Sequence, residues 1–171
     1  MTKAIVPQHY EIAKSLIGTK EYPGPANNPK IMGWANKVTA KVLGITYTGD
    51  NVAWCGLGVA YCMVMAGHTP PKIAIRAKSW ADWGIPLLVP TLGAVLVFDR
   101  QGGGHVGFYA GEDKTHYHVL GFNQSDSVNI MRLEKSRLVK NGIRWPKGLA
   151  VGLTTRVIAD ANSAKTSTNE A

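Results

Sequence analysis

The sequence predicts an α+β fold in which N-terminal helices pack on a C-terminal antiparallel β-sheet. Apolar residues recur at helical spacing as far as about residue 67, and from Gly93 onward short β-branched and aromatic runs alternate with turn residues. Because the helices precede the strands instead of alternating with them, the pattern favours α+β over α/β. With 171 residues, 45% of them hydrophobic, the chain is long enough to bury one core.

Three helices are predicted in the N-terminal half. The first covers residues 8–17, and the second covers residues 29–44 and closes on a glycine. The third lies within residues 52–67 and is apolar nearly all round, which indicates that it is buried. A further short helix is expected within residues 73–84.

An antiparallel meander is predicted in the C-terminal half, with strands separated by Gly, Asp and Lys turns. The four strands are expected at residues 94–100, 105–112, 116–123 and 127–133. A last strand or turn is expected around residues 148–158. We expect one domain over residues 1–156, followed by a disordered polar tail at residues 157–171.

The charge balance favours an anionic partner. The chain has 19 Lys and Arg against 11 Asp and Glu, a formal net charge of +8. No Lys/Arg-rich block stands out, so nucleic acid is not expected, and no apolar run approaches the roughly 20 residues of a membrane span. The first residues lack the apolar core of a secretory signal, which predicts synthesis in the cytoplasm without use of the general secretory route.

Both cysteines, Cys55 and Cys62, lie within the third predicted helix. Seven residues of helix separate their Cα atoms by about 10 Å, which is too far for a disulfide. Cys55 follows the turn "YTGDN" and stands at the helix N-terminus, where free N–H groups and the helix dipole favour a thiolate. Cys62 is expected to be an inert core thiol. Gly56 and Gly58 weaken the helix, which indicates close packing against another element.

A histidine, His105, begins a strand in the segment "GGGHVGFYAG". A hairpin with its turn at residues 113–115 would place His105 opposite Asn123, and Gly107 opposite Gly121. Directly opposed residues have Cβ atoms about 5 Å apart, so the imidazole N–H could donate to the Asn123 side chain. A cysteine and a base oriented by a polar group form the arrangement of a thiol hydrolase. The two glycines would give the start of the third helix room to approach.

A second pair of histidines offers a different chemistry. His116 and His118 form an H-x-H pair on one strand face, a spacing that can bind a metal. Their position beside the turn favours exposed strand residues, and no third ligand has convincing spacing. A zinc hydrolase using His105, His116 and His118 stays an alternative, whereas the cysteine reaction requires no metal or other cofactor.

Six segments stand in an order typical of one enzyme superfamily. They read "KEYPGPANNPKI", "WC", "SWADWG", "GGGHVGFY", "GFNQSDSVN" and "RWPKG", and they cover roughly residues 8–148. With them the chain resembles the CHAP and NlpC-type cysteine, histidine-dependent amidohydrolases and peptidases, and most closely a single-domain branch found in phage endolysins. The resemblance implies a papain-like fold and cleavage of peptidoglycan.

The resemblance also implies roles for individual residues. Cys55 would be the nucleophile, His105 the general base and Asn123 the third member of the triad. Gln124 and Asp126 are alternatives for the third position. The residues expected to contact the substrate are Trp54, Gly107, Tyr109 and Gln124.

The implied protein is a monomeric N-acetylmuramoyl-L-alanine amidase or peptidoglycan endopeptidase that acts on the bacterial wall after release by a holin and so lyses the host. A contact-delivered antibacterial effector or a tail-associated lysin would use the same chemistry. A wall-binding module without catalysis is the remaining alternative.

Overall fold

Helices occupy the N-terminal half of the chain and strands the C-terminal half, which confirms the predicted α+β class. The computed structural model of the protein describes residues 6–152 and 156–170. Over these residues the helices are α1 (Gln8–Ser15), α2 (Pro29–Val38), α3 (Ala40–Leu43) and α4 (Cys55–Met65), and a 3-10 helix (Ala77–Asp82) follows them. None of these described helices is long and apolar enough to cross a membrane.

Seven strands, counted over the same residues, form one sheet with the order β1-β6-β2-β3-β4-β5-β7. They are β1 (Ile85–Pro86), β2 (Val95–Arg100), β3 (Gly103–Glu112), β4 (His116–Gln124), β5 (Ser127–Glu134), β6 (Leu138–Trp145) and β7 (Lys165–Thr166). All neighbours are antiparallel except β5 and β7, which are parallel. Strands β2 to β5 were predicted, whereas β1 and β6 were not. The strand expected around residues 148–158 lies partly outside the described residues, and within them Ile158 forms a single bridge to Glu112.

The helix predicted over residues 29–44 is two helices. The first begins where expected, because the Asn28 side chain accepts a hydrogen bond from the Lys30 N–H at 2.9 Å and caps the helix. It ends where Thr39 adopts a φ of 79°, outside the helical region, and α3 starts at the next residue. The prediction of one continuous helix is therefore wrong at this residue.

Successive side chains of the central strands point to opposite faces of the sheet, so the core has two parts, one on each face. Val95 and Val97 face the helices and join the cluster that contains the buried residues of α1, α2 and α4. Leu96 and Phe98 face the opposite side of the sheet, in a second cluster with Tyr109. We call these two sides the helix face and the far face. Both are buried along β2, so this part of the sheet is covered on both sides.

The C-terminal segment contradicts the prediction of a disordered tail. Residues 157–170 run along the sheet, with a 3-10 helix at Ala161–Ser163 and with β7 paired to β5. The end of the segment is buried: Glu170 is 3% exposed, and its carboxylate accepts hydrogen bonds from Arg137 Nη1 and Nη2 at 3.0 and 2.6 Å. Composition missed this because the contacts that order the segment come from distant parts of the chain. Ala171 lies outside the described residues.

Candidate cysteine–histidine site

Cys55 is the first residue of α4, as predicted, and it is 8% exposed. The two glycines that follow it let the start of the helix pack closely. A Cβ atom on Gly56 would overlap the Ala74 carbonyl oxygen, and one on Gly58 would overlap the Phe122 ring. The packing role predicted for these glycines is therefore confirmed, and it fixes the position of the Cys55 side chain.

The Cys55 sulfur lies where β3 and β4 separate. The ladder between these strands reaches Gly107 and Gly121 and does not continue to the preceding residues of β3. The backbone N–H groups of Val106, the next of these residues, and of Gly56 act to lower the pKa of the Cys55 thiol, which places both near the sulfur. Helix α4 thus brings its first residue to the end of this ladder, beside the residue that follows His105 in the chain.

Burial decides the protonation state of Cys55. It raises the pKa of the thiol above its ordinary value. The hydrogen bonds from Val106 and Gly56 and the positive charge of Arg100 oppose this rise without cancelling it. The helix start was expected to favour a thiolate, and that expectation is wrong for this closed site, where Cys55 is a neutral thiol at pH 7. Burial also raises the pKa of Cys62, in agreement with the inert core thiol predicted there.

His105 is fully buried, and Gln124 holds its ring. His105 Nε2 lies 2.9 Å from Gln124 Oε1. The Gln124 amide nitrogen donates to the carbonyl oxygens of Val119 and Asn129 and to Asn129 Oδ1, so Oε1 is the acceptor toward the ring. His105 Nε2 therefore carries the proton. His105 Nδ1 keeps a lone pair, for which the described part of the chain provides no hydrogen-bond partner.

The polar side chain that contacts the His105 ring is that of Gln124, one of the two alternatives, and not that of Asn123. The pairing of β4 with β5 is irregular between Gly121 and Gln124, and Asn123 has a φ of 60°. This irregularity moves the polar side chain that reaches His105 one position along the chain. Asn123 is buried, and its Oδ1 has no partner among the described residues. Asp126, the other alternative, lies at the β4–β5 turn and lines a surface groove.

Cys55 and His105 both lie near Arg100, at the end of β2, and the structure shows no hydrogen bond between their side chains. His105 pairs across β2 with Phe98, so its ring lies on the far face, while the Cys55 sulfur lies beside the Val106 backbone. Burial lowers the pKa of His105 to about 4, although the charge of Glu170 acts in the opposite direction. At pH 7 Cys55 and His105 are therefore both neutral.

Gly107 and Gly121 were predicted to leave space for the start of α4, but the space beside them faces other residues. A Cβ atom on Gly107 would crowd Val119 Cγ1, and one on Gly121 would overlap the Gln124 side-chain amide. Neither glycine faces the start of α4, so that prediction is wrong. Gly121 instead leaves the space in which Gln124 folds back to reach His105.

The aromatic residues expected to contact the substrate are core residues. Trp54 and Tyr109 are both 0% exposed. Trp54 Nε1 donates to Glu21 Oε2 at 3.0 Å, and the Tyr109 hydroxyl donates to Glu112 Oε2 at 2.8 Å. Gly107 and Gln124, the other two expected contacts, are buried as well. The four expected substrate contacts are therefore all buried in this structure.

The histidines of the zinc alternative are not brought together. His118 Nε2 lies 2.7 Å from Asp113 Oδ2, and His116 Nδ1 lies 3.1 Å from Arg132 Nη2. Both belong to an ion-pair network at the β3–β4 turn, whereas His105 lies at the other end of β3. The described residues include no group of three or more His, Cys, Asp or Glu side chains that could hold a metal ion.

Sequence reasoning missed the charged residues whose electrostatic effects reach His105. Arg100 ends β2, Arg137 lies in the 3-10 helix Lys135–Arg137, and Glu170 belongs to the C-terminal segment. All three contribute to the electrostatic environment of His105. No local pattern identifies them, because they converge only when the C-terminal segment returns to the sheet.

Comparison with family models, curated proteins and solved structures found no match for this chain. The function is therefore inferred from the site itself and from the motif order described above.

Proposed function

We propose that the protein is a peptidoglycan hydrolase with a papain-like, CHAP/NlpC-type arrangement, which cleaves an amide bond of the bacterial wall through a cysteine nucleophile. The proposal rests on the contact between the start of helix α4 and strand β3. Cys55 begins a buried helix beside Val106, and His105, the preceding residue, has its Nε2–H held by Gln124 and its Nδ1 lone pair unused.

The reaction would begin with proton transfer from the Cys55 thiol to His105 Nδ1, coupled to attack of the sulfur on the substrate carbonyl carbon. Backbone N–H groups of the first turn of α4 would stabilise the oxyanion. The amine would leave with the proton from His105, which gives a thioester on Cys55. A water molecule deprotonated by His105 would then attack the thioester, release the acid and restore the thiol.

Because Cys55 and His105 are both neutral, they support a reaction in which proton transfer and attack of the sulfur take place together. Burial raises the pKa of Cys55 and lowers that of His105, so the closed site holds no preformed thiolate–imidazolium pair. His105 would act as a general base during attack. Gln124 would be a positioning residue that keeps Nδ1 as the free nitrogen.

The direct test is digestion of purified bacterial cell walls, followed by mass spectrometry of the soluble products. We expect Cys55→Ala to reduce product release by about a thousandfold or more, since it removes the nucleophile. Cys62→Ala is the matched control, because it removes a buried thiol from the same helix, and it should stay within a few-fold of the wild type. Release of new L-Ala amino termini would identify an amidase, and cleavage within or between stem peptides an endopeptidase. Undiminished digestion by Cys55→Ala would refute the proposal.

A second comparison tests the third position. Gln124→Met removes the acceptor for His105 Nε2–H, and we expect it to lower activity by about tenfold to a hundredfold. Gln124→Glu keeps an acceptor and should shift the pH–rate profile upward, because a carboxylate raises the pKa of His105. Asn123→Gly tolerates the positive φ at that position and should leave activity unchanged. Loss of activity in Asn123→Gly with full activity in Gln124→Met would restore Asn123 as the third member.

The biological setting we propose is lysis of a bacterial host by a phage endolysin. The net charge of +8 suits a polyanionic wall. Expression inside bacterial cells should be tolerated until the inner membrane is permeabilised, and lysis should then follow in the wild type and not in Cys55→Ala. Lysis of intact cells by protein added from outside would favour the effector or tail-associated setting instead.

A further inference from the structure

A surface groove between α2 and α4 is lined by neither Cys55, His105 nor Gln124. It has a volume of about 370 Å³, and its walls include Lys30, Gly33, Trp34, Lys37, Tyr61 and Met65. We call it the α2–α4 groove. The cysteine reaction uses none of these residues.

Two lysines flank the groove along one face of α2. Lys30, Gly33 and Lys37 are spaced i, i+3 and i+7, so they share a helix face, and the two lysines are about 10 Å apart along the axis. Both lysines are exposed, and neither forms an ion pair with any residue that the structure describes. The groove therefore presents two positive charges without compensating carboxylates.

Gly33 has no structural reason to be glycine. It is exposed in the middle of α2, and a Cβ atom built on it would have no atom of the described residues within 4 Å beyond its chain neighbours and the local helix backbone. Glycine inside a helix is about 1 kcal/mol less favourable than alanine. Here the missing side chain leaves the space between the two lysines open.

The opposite wall is apolar and aromatic. The Tyr61 ring stacks on Trp34, with ring centroids 5.5 Å apart and an angle of 23° between the planes. Tyr61 is half-buried, and Met65, one turn further along α4, is 42% exposed. An aromatic wall next to cationic side chains suits a ligand with a flat apolar face and an anionic substituent.

We propose that the α2–α4 groove binds an anionic glycan polymer of the bacterial wall, with a sugar ring against Tyr61 and Met65 and a phosphate or carboxylate group between Lys30 and Lys37. The site would hold the enzyme on its insoluble substrate and would leave Cys55 free to react. The choice of a wall glycan over other polyanions rests on the proposed function. The basic and aromatic chemistry of the groove does not depend on it.

The test is sedimentation binding to purified walls, with the inactive Cys55→Ser protein as the parent so that binding is measured without digestion. We expect Lys30→Glu/Lys37→Glu to weaken binding by tenfold or more. The matched control is Lys72→Glu/Lys140→Glu, which changes the net charge equally at two exposed lysines that form no ion pair with a described residue, and it should bind within about twofold of the parent.

A second variant in the same binding assay leaves the net charge of the protein unchanged. Gly33→Leu fills the groove with a good helix former and should weaken binding several-fold while the protein stays folded. Walls stripped of phosphate- and carboxylate-bearing polymers should bind the parent poorly. The proposal would be overturned if the two lysine pairs lost binding equally or if Gly33→Leu bound as well as the parent. It would also be overturned by undiminished binding to stripped walls. Stronger binding to anionic phospholipid vesicles or to single-stranded DNA than to walls would overturn it as well. If the parent binds walls as expected but digestion does not require Cys55, the proposed reaction is refuted and the groove assignment still holds.

Discussion

Acidification from pH 6.5 to about 4 is expected to destabilise the protein through two buried imidazoles. His9 and His105 are both 0% exposed, and burial lowers the pKa of each from 6.5 to about 4. His9 is also held in one neutral form, since its Nε2 lies 2.8 Å from the Gly93 carbonyl oxygen and must donate to it. In this pH window the unfolded chain binds a proton on each histidine and the folded protein does not. The free energy of unfolding therefore falls as the pH falls.

The magnitude follows from the size of the pKa differences. A difference of about 2.5 pKa units corresponds to about 3 kcal/mol for each histidine once the pH has fallen to about 4. Both histidines together would remove about 6 kcal/mol, which is comparable with the whole stability of many domains. Acid unfolding is thus expected before most carboxylates are protonated.

Urea unfolding followed by tryptophan fluorescence, at a series of pH values between 7 and 4.5, measures this effect. In His105→Gln and in His9→Gln the dependence of unfolding free energy on pH should fall to about half that of the wild type. The comparison uses the slope within each variant, so any uniform loss of stability caused by the substitution does not affect it. A flat profile in the wild type, or full pH dependence in both variants, would refute the assignment to these buried rings.

Three further substitutions test the packing and the C-terminal segment. Gly58→Ala should lower the free energy of unfolding by about 2 kcal/mol, because the added methyl group would overlap the Phe122 ring; an unchanged stability would contradict that packing. Gly33→Ala, on an open face of α2, should raise it by about 1 kcal/mol in the same assay, and a loss would show that a neighbour needs the space. Arg137→Met should cost about 3 kcal/mol at pH 7, because it leaves the Glu170 carboxylate buried without its partner. The double variant Arg137→Met/Glu170→Gln should recover most of that loss, and a failure to recover would mean that Arg137 stabilises the protein mainly through other contacts.

The parts of the fold that the sequence predicts well are those governed by local patterns. Helix α4 was expected within residues 52–67 and spans Cys55–Met65, because an apolar run between a turn and a glycine has few alternatives. The pairing of Gly107 with Gly121 was also predicted correctly, although the pairs nearest the turn are shifted by one residue and an irregularity between Tyr109 and Gly111 restores the predicted register. These features depend on neighbours in the chain.

The features that sequence reasoning missed depend on distant contacts. Strand β6 was not predicted because Lys140 and Asn141 interrupt its apolar pattern, and it is stabilised by pairing with β2. The C-terminal segment is small and polar, and hydrogen bonds such as that from Arg132 Nη1 to Thr166 Oγ1 at 2.8 Å order it. Such side chains have little intrinsic preference for order, so their structure appears only once the sheet exists.

One irregularity in the sheet explains why Gln124, and not Asn123, contacts His105. A regular hairpin places Asn123 opposite His105, and the observed ladder has that register from the Tyr109–Val119 pair to the Gly107–Gly121 pair. The irregularity between Gly121 and Gln124 then changes which side chain faces the far side of the sheet. Gly121 is what makes the alternative work, because its missing side chain gives the Gln124 amide the space to fold back against the imidazole. Gly121 was expected to make room for the start of α4, and it instead makes room for the Gln124 side chain, which leaves Nδ1 as the His105 nitrogen without a proton.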